Sequence, residues 1–180
     1  EVWKNLMKIL FGFPLLPEMG ELRKMAVQLF LIIITYFPNN AGDLLAAQWE
    51  ATRTLGVRMH FSRGSMDRSK KDGGLPPDSV VQTVDEIMKD SVRLIEKYND
   101  TSFQSMKRIA LAPCSPFSVS AELLEESAKL ARQYKVRLHT HLCETLDEVY
   151  QLKLLVYAHS LIWKSSVGLE MMYGMHTVSI

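Results

Sequence analysis

The stretch HTHLCET, residues 139–145, places two histidines at alternate positions and a glutamate shortly after them. On an extended strand His139 and His141 point the same way, as metal ligands can. Glu144 follows at a distance suited to a loop carboxylate that serves a metal-bound water as general base and then general acid. A metal site takes three or four ligands and only this cluster is evident, so by spacing alone such a pair is more often two ordinary strand histidines than a metal site. Two further stretches could border such a site: Arg63-Gly64-Ser65-Met66 and Pro113-Cys114-Ser115-Pro116. Arg63 could meet a substrate or be a solvated loop charge. Cys114 has no neighbouring histidine in sequence and reads as a small loop residue before a nucleophile. His60 reads as structural, and Lys70-Lys71-Asp72 as a solvated surface.

These residues need elements to hold them. Residues 42–56 read as a helix stopped by Gly56, and VRMHF, 57–61, as a strand with apolar and polar residues alternating. The polar loop 63–78 carries Gly73-Gly74 and Pro76-Pro77, and a loop this long in a compact domain is usually functional or disordered. Asp78 is placed to cap a helix in which Val80, Val81, Val84, Ile87, Met88, Val92 and Ile95 recur at helical spacing through about residue 98. KRIALAP, 107–113, is a strand; residues 120–135 are a helix with acids early and bases late, matching its dipole; VRLHTHL, 136–142, is a strand. Strand and helix alternating with short returns means parallel βα units. The three stretches singled out fall at the C-terminal ends of the three strands, where parallel α/β folds keep their chemistry. A full (βα)8 barrel takes about 250 residues, so a chain of 180 fits part of one.

Composition narrows the class. The chain is 47% hydrophobic and 23% charged with a formal net charge of +1, ordinary globular usage. That balance gives no electrostatic case for nucleic acid or an anionic membrane. Two cysteines, Cys114 and Cys143, form neither a disulfide framework nor a CxxC metal pair, and no secretory signal is recognisable at the start; the expectation is a reducing, cytoplasmic setting. The greasy run Met25–Phe37 contains Gln28 and falls short of the roughly 20 apolar residues of a spanning helix. Oligomeric state is not legible.

Together RGSMDRSKKDGGLPPDSVVQ (63–82), LAPCSPFSVS (111–120) and VRLHTHLCETLDE (136–148) resemble the metal-dependent amidohydrolase superfamily, in the branch of 8-oxoguanine deaminase and the triazine hydrolases. The resemblance runs from about Asn39 to Glu148, a family-like core of 39–148. It implies a (βα)8 TIM-type barrel holding one divalent metal, zinc or iron, and hydrolytic deamination of an amino-substituted heteroaromatic ring by a metal-bound hydroxide. It implies that His141 is a metal ligand, that Glu144 shuttles protons, and that His139 is a neighbour only. The loops around Arg63 and around Cys114 and Ser115 would lie where the ring binds. Loss of an alkylamine from a triazine is the neighbouring chemistry; a non-catalytic, truncated paralogue is the other class of reading. The family's early H-x-H pair, its later histidine and its final aspartate find no counterpart in the 180 residues, so the expectation is a fragment of one barrel domain, inactive alone.

The ends depart from the family. Where KMAVQLFLIIITYFP stands, the family has a segment resembling N-G-C-T-T-x-S-D-H-H-Y-L-F-P. Joining the last base of each codon to the first two of the next forces glycine across Met25 and Ala26 and permits D-H-H-Y-L-F-P through the run. In EMMYGMHT, 170–177, the same shift forces aspartate across Met171 and Met172, valine across Met172 and Tyr173, and alanine across Met175 and His176, as in the family's D-D-V-W-Y-A-H. Trp163 and Lys164 force glutamate. The reading is that 25–37 and 150–177 are out-of-frame translation of a deaminase gene, so that His159 and His176 are not ligands by position; the alternative is a diverged chain whose ends are ordinary core.

Overall fold

The computed structural model describes Gly20, residues 43–141, and the backbone of Leu29–Ile32 and Thr177–Ser179. The described residues include, in order, β1 (Leu29–Ile32), α1 (Leu44–Leu55), β2 (Arg58–Ser65), α2 (Val84–Tyr98), β3 (Lys107–Pro113), α3 (Ala121–Tyr134), β4 (Arg137–His141) and β5 (Thr177–Ser179). The strands lie side by side in chain order. β1 to β4 are parallel, with Phe61 beside Ile109, Ser65 beside Pro113, and Leu111 beside Leu138. A helix joins each parallel pair, the connection that parallel strands require. β5 departs from the expected parallel order: it runs antiparallel along β4, setting Thr177 beside His141. The greasy run, expected to be out-of-frame translation or ordinary core, contributes β1, since Leu, Phe and Ile suit a pleated backbone wherever they come from.

Period-two alternation divides the strands between two faces. Met59, Phe61, Ile109, Leu111 and Leu138 are buried against Leu44 and Leu45 of α1, Leu94, Ile95 and Tyr98 of α2, and Ala128 and Ala131 of α3. This is the core between sheet and helices, and burying each large side chain stabilises by about 1.5–3 kcal/mol. His60, Ser62 and Gly64, Ala110 and Ala112, and His139 and His141 alternate with those core residues and so face the other way, into the barrel.

Helix ends are set locally. Asp43 caps α1 by accepting from the Ala46 amide, and Gly56 closes it in the left-handed region at φ 61°. Ser120 caps α3 by accepting from the Leu123 amide. The expected cap of α2 is corrected. Asp78 opens a short 3-10 turn, Asp78–Val80, and α2 begins six residues later, after Thr83. Thr83 and Glu86 form a reciprocal capping box that satisfies two orphan amides. Before it, Val81 is extended and the Gln82 amide donates to the Met66 carbonyl at 3.0 Å, so the chain is tied to the end of β2 and cannot yet coil. β2 is also longer than expected, running to Ser65 because Arg63 finds its partners under the helices.

Candidate active site at the strand ends

The C-terminal ends of β2, β3 and β4 are stitched together at one residue. The Cys114 amide donates to the Ser65 carbonyl at 3.0 Å, and its own carbonyl accepts from the His141 amide at 2.8 Å and the Thr140 hydroxyl at 3.2 Å. Ser65, Cys114 and His141 are thereby held at one end of the parallel sheet. His139 and His141 stand edge to face with ring centroids 5.5 Å apart. His139 is 2% exposed and His141 half-buried. Burial, then the neighbouring His141 and His60, lowers the His139 pKa, which keeps its imidazole neutral. His60 is held down likewise, first by burial and then by Arg137 and Arg108, against a hydrogen bond that its imidazole donates to the Ile109 backbone. Among the described residues its Nε2 is buried without a hydrogen-bond partner.

Cys114 is brought to His141 through its carbonyl, and Ser115 follows it in the turn after β3. Ser115 is buried: its hydroxyl lies 3.2 Å from that of Ser118, and its carbonyl accepts from the Ser118 and Val119 amides. Its polar groups therefore shape the turn after β3. Arg63 is not brought to this group. It is 1% exposed and alternates with the lumen-facing residues, and its guanidinium reaches Asp90 Oδ2 on α2 at 3.1 Å, Gln82 Oε1 at 2.9 Å and the Gly64 carbonyl. Burial pulls its pKa down and Asp90 opposes this. Glu144 and Cys143 lie outside the described residues, as do His159 and His176.

Among the described residues no three or more His, Cys, Asp or Glu side chains gather as a metal-binding group. His141 has the donor chemistry for zinc, but four-coordinate zinc takes at least three protein ligands. The described residues alone therefore do not fit a complete metal site.

Sequence reasoning passed over Asp67 and Arg68. The Asp67 and Arg68 amides donate to the Ser118 carbonyl, both at 3.1 Å, and Asp67 Oδ1 accepts from the Ser120 amide at 2.7 Å. Arg68 Nη1 donates to the Pro116 carbonyl at 3.2 Å and Nη2 to the Asp72 carbonyl at 3.3 Å. Their partners sit in another loop, a distance no local pattern reveals; the only local signal is a loop rich in turn formers that must fold on something.

Parallel strands with helices over one face, and side chains gathered at the strand ends, are the arrangement of part of a (βα)8 barrel. The chain matches the amidohydrolase family over residues 32–159 and belongs to it. It is 47% identical over 112 residues to the 8-oxoguanine deaminase of Pseudomonas aeruginosa, covering 62% of this chain and 25% of that one. It is 37% identical over 101 residues to the hydroxydechloroatrazine ethylaminohydrolase of Pseudomonas sp. strain ADP, covering 56% of this chain and 21% of that one. The zinc complex of atrazine chlorohydrolase TrzN from Arthrobacter aurescens TC1 superimposes with a TM-score of 0.62 at 32% identity, over 77% of this chain and 30% of that one. The chain thus spans about a quarter of the length of the curated relatives it matches, and a divalent metal is part of this family's equipment.

Proposed function

We propose that this chain is the portion of an amidohydrolase barrel that carries one metal-binding imidazole and the proton-transfer carboxylate of a hydrolytic deaminase acting on an amino-substituted heteroaromatic ring such as 8-oxoguanine. The observation that carries the reading is the gathering of Ser65, Cys114 and His141 at one end of the sheet, in a chain 47% identical to an 8-oxoguanine deaminase over 112 residues. His141 would hold a zinc ion through one imidazole nitrogen, and the ion would lower the pKa of its bound water. Glu144 takes a proton from water as the water oxygen adds to the ring carbon, then gives it to the exocyclic nitrogen; the C–N bond breaks and ammonia leaves. The turn at Cys114 and Ser115 borders the ring. We give Arg63 a supporting part, fixing β2 to α2 from beneath the site. His139, buried and neutral, packs against His141 and fixes its ring.

A second reading, hydrolytic loss of an alkylamine from a triazine, is favoured by the likeness to the ethylaminohydrolase; the same addition of water serves both leaving groups. We place the protein in the cytoplasm on its cysteine usage. We further propose that 25–37 and 150–177 are read out of frame, which the coding sequence in all three frames decides: the shifted frame spells D-H-H-Y-L-F-P and D-D-V-W-Y-A-H, or stops and unrelated residues refute it.

The functional test uses protein expressed from the complete coding region and loaded with zinc. Stoichiometric ammonia from 8-oxoguanine supports deamination. Ethylamine from an ethylamino-triazine, with no ammonia from 8-oxoguanine, moves the assignment to the second reading. Release of neither from either ring refutes both.

A further inference from the structure

The loops that follow β2 and β3 are built as one body. The first, residues 66–82, has the polar composition of a mobile segment, yet its backbone is bound along its length to its neighbour or to itself. The Leu75 amide donates to the Phe117 carbonyl at 3.3 Å, the Lys70 amide to the Pro76 carbonyl at 2.9 Å, and the Gly74 amide to the Ser69 carbonyl at 2.8 Å. Ser69 is fully buried, with its hydroxyl 3.1 Å from Asp72 Oδ2. Gly74 marks the closest approach. A Cβ there would stand 2.3 Å from the Arg68 carbonyl oxygen and 2.9 Å from that of Phe117, both backbone atoms that cannot swing aside.

Asp67 and Arg68 grip the second loop with opposite polarity. Asp67 offers an acceptor to the Ser120 amide, at the residue that caps α3. Arg68 offers donors to Pro116 on one side and to Asp72 in its own loop on the other. One guanidinium thus bridges the two loops, and a charged donor to a carbonyl is among the stronger hydrogen bonds available. The gripped segment, Pro116–Ser120, directly follows Cys114 and Ser115 and includes Ser118, whose amide donates to the Ser115 carbonyl at 2.8 Å and whose hydroxyl lies 3.2 Å from that of Ser115.

We propose that Arg68 is a positioning residue: it makes the loops after β2 and β3 a single rigid rim, and the rim fixes where Cys114 and Ser115 stand against a bound ring. The bordering of a ring rests on the functional reading above; the mechanical coupling does not. Losing a charge-assisted bridge of this kind changes an opening equilibrium roughly ten- to a hundredfold.

The test compares wild type with Arg68→Ala and Arg68→Lys by amide hydrogen exchange, and by steady-state kinetics on protein from the complete coding region. Arg68→Ala is expected to speed exchange about tenfold or more at residues 67–75 and equally at 116–120, leaving β3 at the wild-type rate, with Arg68→Lys in between. Faster exchange confined to 67–75 overturns the proposal. With 8-oxoguanine, Arg68→Ala is expected to raise KM about tenfold with a smaller fall in kcat, partly rescued by Arg68→Lys. Unchanged KM in an active Arg68→Ala protein overturns the positioning role even where the loops uncouple. A wild type inactive on every ring refutes the functional reading instead, and the exchange pattern then decides the coupling by itself.

Discussion

Arg63 carries its charge to a place where almost no water reaches it, and that placement can be weighed. At 1% exposure its guanidinium is answered by Asp90 Oδ2, Gln82 Oε1 and the Gly64 carbonyl. Arg63→Met keeps most of the stem's packing and removes the charge. It leaves the Gln82 and Gly64 oxygens short of a donor, at about 1–2 kcal/mol each. Asp90 is left cheaply, because its side chain is 28% exposed and Arg93 still holds it at 2.7 Å. Relief of the guanidinium's own desolvation offsets part of this, so the net loss is about 2–3 kcal/mol. Asp90→Asn removes the carboxylate that faces the buried cation from α2 and costs about 3 kcal/mol, the low end for a broken buried pair because of the carboxylate's exposure. The double variant should cost about 1–2 kcal/mol less than the sum of the singles, since the second change removes an interaction already lost. Urea unfolding reads all three as shifts in midpoint at unchanged slope. A stability for Arg63→Met within about 0.5 kcal/mol of wild type, or single losses that simply add, would refute the buried pair as described. A stable Arg63→Met protein with a raised KM would return Arg63 to the ring.

Two further outcomes follow from the helix caps. Burial alone would raise the Asp43 carboxyl, but hydrogen bonds from Lys97, Arg93, the Ala46 amide and Tyr98 outweigh it and hold the pKa at about 2. Its folded pKa is depressed, so its contribution is fully present above the ordinary carboxylate value and is lost as pH falls from about 4 toward 2. Allowing for screening at this partly exposed site, acid titration of stability should lose about 1–1.5 kcal/mol in that window. Asp43→Asn should flatten that part of the curve, and an unaltered acid limb contradicts the assignment. Thr83→Ala removes the capping box of α2 and should lower stability by about 1 kcal/mol, read as a shift in urea midpoint; a neutral result places the start of α2 elsewhere.

What the sequence disclosed depended on whether the partner was local. KRIALAP reads as a strand and is one, because its two-residue period needs no distant information. The helix after Ser120 is equally plain, its cap and charge order lying within its own turns. Asp78 misled because a good cap residue stands before a helical pattern, while the bonds holding Val81 and Gln82 extended come from Met66 and Arg63. β2 was cut short because an arginine inside a buried strand looks wrong until Asp90 arrives from the next helix. At the site, His141 and Cys114 could be placed from their positions at the ends of strands. The Asp67 and Arg68 clasp could not, since its partners at 116–120 meet it only in the folded barrel.

The most direct test of the central claim is the rate of ammonia release from 8-oxoguanine by zinc-loaded protein from the complete coding region, compared with its Glu144→Gln and His141→Ala variants. Glu144→Gln is predicted to keep its zinc and lose roughly 10²–10⁴ in kcat, the usual worth of a positioned general acid and base. His141→Ala is predicted to lose zinc and activity together. Full activity in Glu144→Gln, or full zinc and activity in His141→Ala, would contradict the account.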